Sequence, residues 1–189
     1  MMDIQRILEE NNVILKGHFL LSSGLHSDIY FEKFRLLEKP SLLYKIITTR
    51  EKELRELDVN LCVGPLTGGA FVAFAIALIL DIKAYYMEKE QNDLVLRRDF
   101  SIGEHHHILL CDDVLTTGSS FQKMLKGLGQ NACKVKGYFV LIDRSAEVFD
   151  DTKPILSIYK SKQATYKPDE CPLCKMGVPL QTRGSTTTL

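Results

Sequence analysis

Residues 107–120 read His-Ile-Leu-Leu-Cys-Asp-Asp-Val-Leu-Thr-Thr-Gly-Ser-Ser, and this stretch decides the fold. An apolar strand leads into two carboxylates, Asp112 and Asp113, and then into a turn rich in hydroxyls and glycine that starts a helix. Backbone N–H groups at the beginning of a helix are unpaired and lie at the positive end of the helix dipole, so they suit a phosphate. Gly118 lets the backbone approach such an anion closely. The stretch therefore predicts the strand, anion-binding turn and helix from which parallel α/β sheets are built.

The side chains of this stretch indicate what the anion is attached to. The carboxylates of Asp112 and Asp113 can accept hydrogen bonds from both hydroxyls of a ribose whose 5-phosphate lies on the turn. Hydroxyls for the phosphate come from Thr116, Thr117, Ser119 and Ser120. In an alternative interpretation the acids solvate a strand end and a serine caps the helix. No Gly-Lys-Ser/Thr triplet follows Gly118, so the stretch is not a Walker A loop.

The rest of the chain alternates between helix-like and strand-like segments. The patterns predict helices over 3–11, 40–57, 69–80 and 119–128, and strands over 61–63, 83–87, 108–111 and 135–142. This alternation favours a parallel sheet flanked by helices, with ligands at the carboxyl ends of the strands. Residues 17–31 hold two apolar runs around turn residues and predict a hairpin. At 189 residues the chain suits one domain, 1–189.

Composition limits the partners and the compartment. Lys plus Arg and Asp plus Glu are both 24, so net charge gives no reason to expect nucleic acid or a membrane surface as partner. The apolar run 70–80 is too short to cross a bilayer, and no signal peptide precedes the first helical pattern at 3–10. Five cysteines, an odd number without a framework spacing, indicate a reducing cytoplasm.

The order of residues in 108–119 resembles the phosphoribosyl-diphosphate signature of the type I phosphoribosyltransferases. The shared pattern is four apolar residues, two acids, two apolar residues and Thr-Thr-Gly-Ser. The resemblance implies that phosphoribosyl diphosphate binds to Asp112, Asp113, Val114, Leu115, Thr116, Thr117, Gly118, Ser119 and Ser120. It also implies Mg²⁺ as cofactor, held mainly through the diphosphate and not by protein ligands, because this hard cation prefers phosphate oxygens.

A second turn follows the strand at 61–63. In this family the turn approaches the diphosphate leaving group, which would assign Thr67 and Gly68 to substrate binding. Many relatives have a lysine here, whereas this chain has Leu66 and Thr67, so backbone and hydroxyl donors would make the contact. A sterically demanding strand-to-helix connection without ligand is the alternative.

The charged stretch 87–100 resembles the mobile lid of orotate phosphoribosyltransferases. That lid carries basic residues that close over the diphosphate, often in the neighbouring subunit of a dimer. By position, the resemblance assigns catalytic roles to Lys89, Arg97 and Arg98 and implies a homodimer with a shared active site. A solvated charged hairpin is the alternative.

In this family a nucleobase receives the ribose phosphate, and two other segments are assigned to binding that base. Arg144 follows a strand and has the planar geometry that pairs with a carboxylate, although Asp143 could instead form a surface ion pair with a basic neighbour. Residues 19–31 resemble the hood of orotate phosphoribosyltransferases, which is expected here from residues 1–35 plus the carboxyl-terminal tail. There Tyr30 and Phe31 would form an apolar wall, and His26 replaces a lysine of several relatives. Thr116 would border both ribose and base.

The tail 166–179 resembles that of a bacterial and archaeal subgroup of the same family. Its Cys171 and Cys174 are half of a zinc site, which needs four ligands. No other cysteine has a partnering spacing, so the sequence predicts metal-free thiols. Residues 105–107 are three consecutive histidines at a strand entry, where neighbours point to opposite faces and cannot converge on one ion.

Together these resemblances imply orotate phosphoribosyltransferase activity. The reaction would transfer ribose 5-phosphate from phosphoribosyl diphosphate to orotate, giving orotidine 5′-monophosphate and pyrophosphate in de novo pyrimidine biosynthesis. Two alternatives stay open. One is a phosphoribosyltransferase for uracil or a purine, and the other is a non-catalytic regulator that senses phosphoribosyl diphosphate.

Overall fold

A computed structural model describes residues 3–21, 23–97, 100–146, 152–161 and 164–183. The helices are α1 (Ile4–Glu10), α2 (Phe34–Leu37), α3 (Pro40–Ile47), α4 (Glu51–Glu56), α5 (Gly68–Leu80), α6 (Ser119–Leu128) and α7 (Pro172–Lys175). The strands are β1 (Ile14–Leu20), β2 (His26–Phe31), β3 (Leu61–Pro65), β4 (Lys83–Glu90), β5 (Asp93–Leu96), β6 (Ile108–Leu115), β7 (Val135–Asp143), β8 (Ile155–Lys160), β9 (Thr165–Tyr166) and β10 (Gln181–Thr182). The chain divides into two compact units. The larger contains residues 1–4 and 37–161, and the smaller contains residues 5–36 and 162–189.

The larger unit is built on a six-stranded sheet in the order β5-β4-β3-β6-β7-β8. All neighbouring strands are parallel except β5, which pairs antiparallel with β4. The predicted parallel sheet with flanking helices is confirmed. Strands β3, β6 and β7 are neighbours, so their carboxyl ends lie at one edge of the sheet, where ligands bind in this architecture.

Helix α6 covers one face of this sheet. Its Phe121, Met124 and Leu128 are buried together with Leu110 and Tyr138 of the strands. The spacing of three and four residues puts the helix side chains on one face, as the amphipathic pattern predicts. At Gly127 a β-carbon would collide with the Leu94 backbone carbonyl, so only glycine allows α6 to lie this close to β5.

Helix α5 is apolar around its whole circumference and packs against β3, β4 and β6. At 13 residues it is close to the predicted helix. Among the described residues, no helix combines the length and the apolar character that a membrane span requires.

The helix predicted over 40–57 is divided. Helices α3 and α4 are joined by a 3₁₀ turn, Thr48–Arg50. The hydroxyls of Thr48 and Thr49 donate to the carbonyls of Lys45 and Ile46, at 2.7 and 2.6 Å. Such back-bonding competes with regular helix geometry, which explains the break.

The smaller unit contains a four-stranded sheet in the order β10-β1-β2-β9. Strands β1 and β2 form the predicted hairpin, with Ile14 opposite Phe31 and Leu20 opposite His26. The register shifts between Lys16 and Phe19, so β1 carries one extra residue there. The flanking strands β9 and β10 come from the carboxyl-terminal tail and, at two residues each, were not predicted. This unit therefore groups the hood segment with the tail.

Candidate functional site

The predicted phosphate turn forms a small cleft at the carboxyl end of β6. It is lined by Asp112, Val114, Leu115, Thr116, Gly118, Ser119, Ser120 and Phe121. Gly118 has a φ of 78°, a left-handed conformation that glycine adopts without strain, and α6 begins directly after it. The Ser119 N–H donates to Thr117 Oγ1 at 3.4 Å, which closes the turn. The end of β6 and the turn after it thus surround one concave surface at a helix N-terminus.

The acidic pair lies inside β6, which runs on to Leu115 instead of ending at residue 111 as predicted. Asp112 and Asp113 are 8% and 6% exposed. Oδ1 of Asp112 accepts the Asp113 N–H at 2.9 Å. Because successive strand residues point to opposite faces, the two carboxylates approach the site from different sides of the sheet. Their contact with ribose stays a prediction.

The second turn lies against this acidic pair. Residues 66 and 67 connect β3 to α5 through a cis Leu66–Thr67 peptide. A β-carbon at Gly68 would overlap Oδ2 of Asp113, and one at Gly64 would overlap the Gly69 carbonyl. The demanding connection considered for this turn is therefore present. The same contacts bring Gly68 beside a carboxylate of the phosphate-turn strand.

Arg144 lies at the neighbouring strand end. Its backbone N–H donates to the Leu115 carbonyl at 2.8 Å, so position 144 adjoins the phosphate turn directly. The preceding Asp143 is buried and accepts from the N–H and hydroxyl of Ser145 at 2.9 and 2.6 Å. Lys160 Nζ is 3.4 Å from Asp143 Oδ2, which is the ion pair with a basic neighbour that the sequence left open. The turn predicted to bind phosphate, the turn predicted to bind a second anion, and Arg144 thus lie at three neighbouring strand ends.

The segment predicted as a loop-like lid is a β-hairpin. Strands β4 and β5 pair with Lys89 opposite Leu94, and Leu94 is buried because it joins the core under α6. Lys89 is exposed on the hairpin. Arg97 pairs with Glu90 at 2.7 Å and with Glu88 at 3.5 Å, across the hairpin. The charged-hairpin alternative therefore describes the local structure, and catalytic roles for Lys89 and Arg97 stay predictions. Arg98 lies outside the described residues.

The predicted base-facing residues of the hood belong to the smaller unit. Phe31 is buried in that unit, and the Tyr30 ring is 5.6 Å from the ring of Phe19. His26 is 5% exposed, and its Nδ1 is 2.9 Å from Nε2 of His18. This burial is at odds with a contact between His26 and substrate, because the imidazole is committed to groups inside its own unit.

Sequence reasoning missed the side-chain cluster to which His26 belongs. Ligand atoms of His18, His26, Cys171 and Cys174 all lie within 4.8 Å of one another. The Cys-x-x-Cys pair was the signal in the sequence, since a zinc site needs two more ligands, and histidines can supply them. His18 could not be chosen by spacing because it lies where the β1 register shifts.

The three consecutive histidines do not alternate between faces as predicted, because they precede β6 and the rings of His105 and His106 lie 4.2 Å apart. His105 is exposed, while Nδ1 of the buried His106 accepts the Gly103 N–H at 2.8 Å. Burial, together with nearby positive charge, lowers the pKa of His106. His107 Nδ1 is 2.9 Å from the Asp58 carbonyl. These rings have structural partners of their own.

Comparison with known proteins gives matches over nearly the whole chain. A family model described as "Phosphoribosyl transferase domain" matches residues 37–171. The orotate phosphoribosyltransferase of Carboxydothermus hydrogenoformans is 34% identical over 186 residues, 97% of each chain. That of Caldanaerobacter subterraneus subsp. tengcongensis is 36% identical over 184 residues, 96% of each. The crystal structure of the Aeropyrum pernix orotate phosphoribosyltransferase shares 26% identity with a TM-score of 0.69, covering 92% of this chain and 98% of that chain.

Proposed function

Because the chain belongs to the orotate phosphoribosyltransferase family, we propose that it transfers ribose 5-phosphate from phosphoribosyl diphosphate to orotate. The products are orotidine 5′-monophosphate and pyrophosphate, a step of de novo pyrimidine biosynthesis. One observation carries the assignment to this site. A phosphate turn, a second anion turn and Arg144 adjoin one another at the ends of β3, β6 and β7.

Each part of this edge has a task in the transfer. The turn at 116–120 holds the 5-phosphate through backbone N–H groups and hydroxyls. Asp112 and Asp113 accept hydrogen bonds from the ribose, and Thr67 with Gly68 donates to the diphosphate. Loss of pyrophosphate leaves oxocarbenium character at the anomeric carbon, so the protein mainly orients the reactants and stabilises charge. The carboxylates act as fixed acceptors and transfer no proton.

The residues at this edge fit Mg²⁺. A hard divalent cation prefers oxygen ligands and retains waters; Asp112 supplies carboxylate oxygens beside the hydroxyl-rich turn, and Asp113 supplies them beside Gly68. The ion is held mainly by diphosphate oxygens, so the protein needs no closed cage for it. When bound, Mg²⁺ neutralises charge on the departing diphosphate.

Arg144 selects orotate by its carboxylate. Orotate differs from uracil in this one group, which loses its water on binding and needs a matched pair of donors. A hydrogen bond to a charged group is worth roughly 1.5–3 kcal/mol, so its loss corresponds to about one to two powers of ten in kcat/KM. Thr116, directly after β6, adds a secondary contact to ribose and base.

The test is a base panel with phosphoribosyl diphosphate and Mg²⁺: orotate, uracil, hypoxanthine and adenine. We expect turnover with orotate only. Arg144→Ala should lower kcat/KM for orotate by about one to two powers of ten while leaving the KM for phosphoribosyl diphosphate nearly unchanged. Arg55→Ala, an exposed arginine paired with Glu51 on α4, is the matched control. If the protein uses uracil or a purine instead of orotate, the proposed base substrate is wrong. Binding of phosphoribosyl diphosphate without any turnover would indicate a regulator.

The exposed face of α5 supports a homodimer. Phe71, Phe74 and Leu78 are 52%, 69% and 67% exposed and lie three and four residues apart, on one stripe of the helix. A helix that is apolar all round is normally buried on all sides, and a second copy of the chain would cover this stripe. Because α5 begins at the second anion turn, a dimer through this face brings partner residues near the diphosphate. Such an arrangement lets Lys89 serve the partner's site.

The proposed compartment is the cytoplasm. Within the described residues no cysteine forms a disulfide, which suits a reducing environment.

A further inference from the structure

Four side chains in the smaller unit form a cluster with the dimensions of a tetrahedral metal site. His18 Nε2 is 3.5 Å from Cys171 Sγ and 3.7 Å from Cys174 Sγ. His26 Nδ1 is 2.9 Å from His18 Nε2 and 3.3 Å from Cys174 Sγ. A zinc ion with its usual Zn–N and Zn–S bond lengths separates tetrahedral ligand atoms by ~3.3–3.8 Å, which the three contacts to sulfur match, whereas the two imidazole nitrogens would move apart by about 0.4 Å to admit the ion. We propose that His18, His26, Cys171 and Cys174 bind a structural Zn²⁺ ion.

The hydrogen bonds around His18 prepare its ring for a metal. His18 Nδ1 is 2.7 Å from the Val178 carbonyl, an oxygen that can only accept, so Nδ1 carries the proton. The lone pair of the neutral ring is therefore on Nε2, the nitrogen that faces the cluster. A backbone carbonyl holding the outer nitrogen in this way is the usual support of a metal-binding histidine.

A cluster held by hydrogen bonds alone does not satisfy these groups. Nε2 of His18 has one lone pair, yet His26 Nδ1, Cys171 Sγ and Cys174 Sγ all lie at hydrogen-bonding distance from it. If His26 Nδ1 carries a proton, it takes this lone pair and neither thiol can donate to it; if it carries none, two ring lone pairs face each other at 2.9 Å. A cation at the centre instead receives one lone pair from each of the four atoms, with the two thiols present as thiolates.

The local backbone presents both cysteines to the same point. Cys171 precedes α7 and Cys174 lies within it, so their side chains are one helical turn apart. The helix ends at Lys175, the chain then turns at Gly177, which has a φ of 68°, and the Val178 N–H returns to the Leu173 carbonyl at 3.0 Å. This turn also positions the Val178 carbonyl that accepts from His18. The two cysteines and the support of His18 therefore come from one short segment.

The histidines are brought together by the hairpin. His26 is the first residue of β2, and His18 lies at the register shift of β1, where Gly17 and His18 together face one residue of β2. Such a bulge re-aims a side chain, and it explains why the neighbours His18 and Phe19 are both buried.

The chemistry and burial favour zinc in a structural role. Two thiolates and two imidazoles in a tetrahedron are a typical zinc ligand set. Four protein ligands leave no position for water or substrate, and His18, His26 and Cys171 are all buried. The ion would link the tail to the β1–β2 hairpin. His26 and Cys174, for example, are 148 positions apart in the sequence. Within the described part of the chain, strand pairing joins the tail to this sheet through β9 and β10, which have two residues each.

The first test measures metal in the wild-type protein, purified without chelator from zinc-supplemented cells. We expect about one zinc per chain. Replacement by Co²⁺ should give the intense visible absorption of tetrahedral cobalt together with thiolate-to-metal charge transfer. Protein without zinc, a cobalt spectrum of octahedral type, or a Cys171–Cys174 disulfide in the freshly isolated protein would overturn the proposal.

The second test uses variants with a matched control. Cys174→Ser and His18→Ala should each lose most of the bound zinc, whereas Cys133→Ser, which removes an exposed cysteine outside the cluster, should retain it. Should the ligand variants fail to fold, chelation of the wild-type chain gives the answer. We expect chelation to lower the unfolding temperature and Zn²⁺ alone to restore it. An unfolding temperature that chelation leaves unchanged, or zinc retained by the variants, would contradict the site. The outcome is independent of the base panel, because the ligands take no part in the proposed transfer.

Discussion

Oδ2 of Asp113 lies so close to Gly68 that a β-carbon at position 68 would overlap it. The carboxylate of one strand end thereby packs directly on the anion turn of the neighbouring strand. Substrate groups at the two proposed anion turns would consequently be adjacent as well. A sugar phosphate with a diphosphate on its anomeric carbon has this arrangement of groups.

Gly68→Ala should therefore disable the site through Asp113. The methyl group displaces the carboxylate, and loss of one charged hydrogen bond to ribose corresponds to about one to two powers of ten in kcat/KM for phosphoribosyl diphosphate. Steady-state kinetics measure this. Gly129→Ala is the control, because its φ of 55° strains alanine but its surroundings are open. It should lower stability by about 1 kcal/mol and leave KM unchanged. Equal kinetic losses in both variants would indicate a general effect of stability.

Lys89→Ala should lower kcat more than it raises the KM for orotate. Its charge is needed as the diphosphate departs, and removing one such donor typically costs about two powers of ten in kcat. Lys52→Ala, another exposed lysine of the larger unit, should have no effect. If the lid acts across a dimer, mixing the variant with an inactive Asp112→Asn/Asp113→Asn chain should recover activity. Absence of recovery would assign Lys89 to its own subunit's site or to none.

Phe74→Ser should weaken self-association. In a symmetric dimer each substitution occurs twice, and losing the burial of an aromatic side chain costs roughly 1.5–3 kcal/mol per copy. The dissociation constant should rise by about two to four powers of ten. Sedimentation velocity over a concentration series measures it. Phe34→Ser, which removes an exposed phenylalanine of the smaller unit, should leave association unchanged. A monomeric wild-type chain would refute the stripe as an interface.

His106→Gln should reduce the acid sensitivity of the fold. The pKa of His106 lies below its ordinary 6.5, mainly because the ring is buried. The charges of His105, Lys83 and Lys134 lower the pKa further. The unfolded chain thus binds this proton more readily, and folded-state stability falls as the pH drops below 6.5, by at most about 1.4 kcal/mol per pH unit.

Protonation also breaks the hydrogen bond that Nδ1 accepts from Gly103, whereas a glutamine oxygen can keep it without titrating. Urea unfolding at a series of pH values should show a shallower acid slope for the variant. His105→Gln, the exposed neighbour, should keep most of the slope. Parallel curves for wild type and His106→Gln would show that this imidazole does not titrate on unfolding.

Much of the larger unit could be predicted because its signals are local in sequence. The order of apolar, acidic, hydroxyl and glycine residues from His107 to Ser120 predicts a strand, a turn and the start of a helix. The alternation of such units along the chain predicts a parallel sheet. The limits of β6 were wrong because pairing with β7 extends the strand through the two acids to Leu115. The charged stretch 87–100 was interpreted as a mobile lid, and its strand β5 was not predicted. Charged residues are untypical of a buried strand, but Leu94 of β5 packs into the core.

The sequence alone was enough to predict the strand, turn and helix around Gly118 and the class of sheet, and it places Cys171 and Cys174 one helical turn apart, since each of these depends on residues close together in the chain. Tertiary structure alone decided that Gly68 lies against Asp113 and that Arg144 adjoins the turn, since sheet order joins strand ends far apart in sequence. It alone decided that His18 meets Cys174, 156 positions away. A register shift in β1 aims that imidazole, and strand register depends on pairing with a partner strand, which no local pattern of residues records.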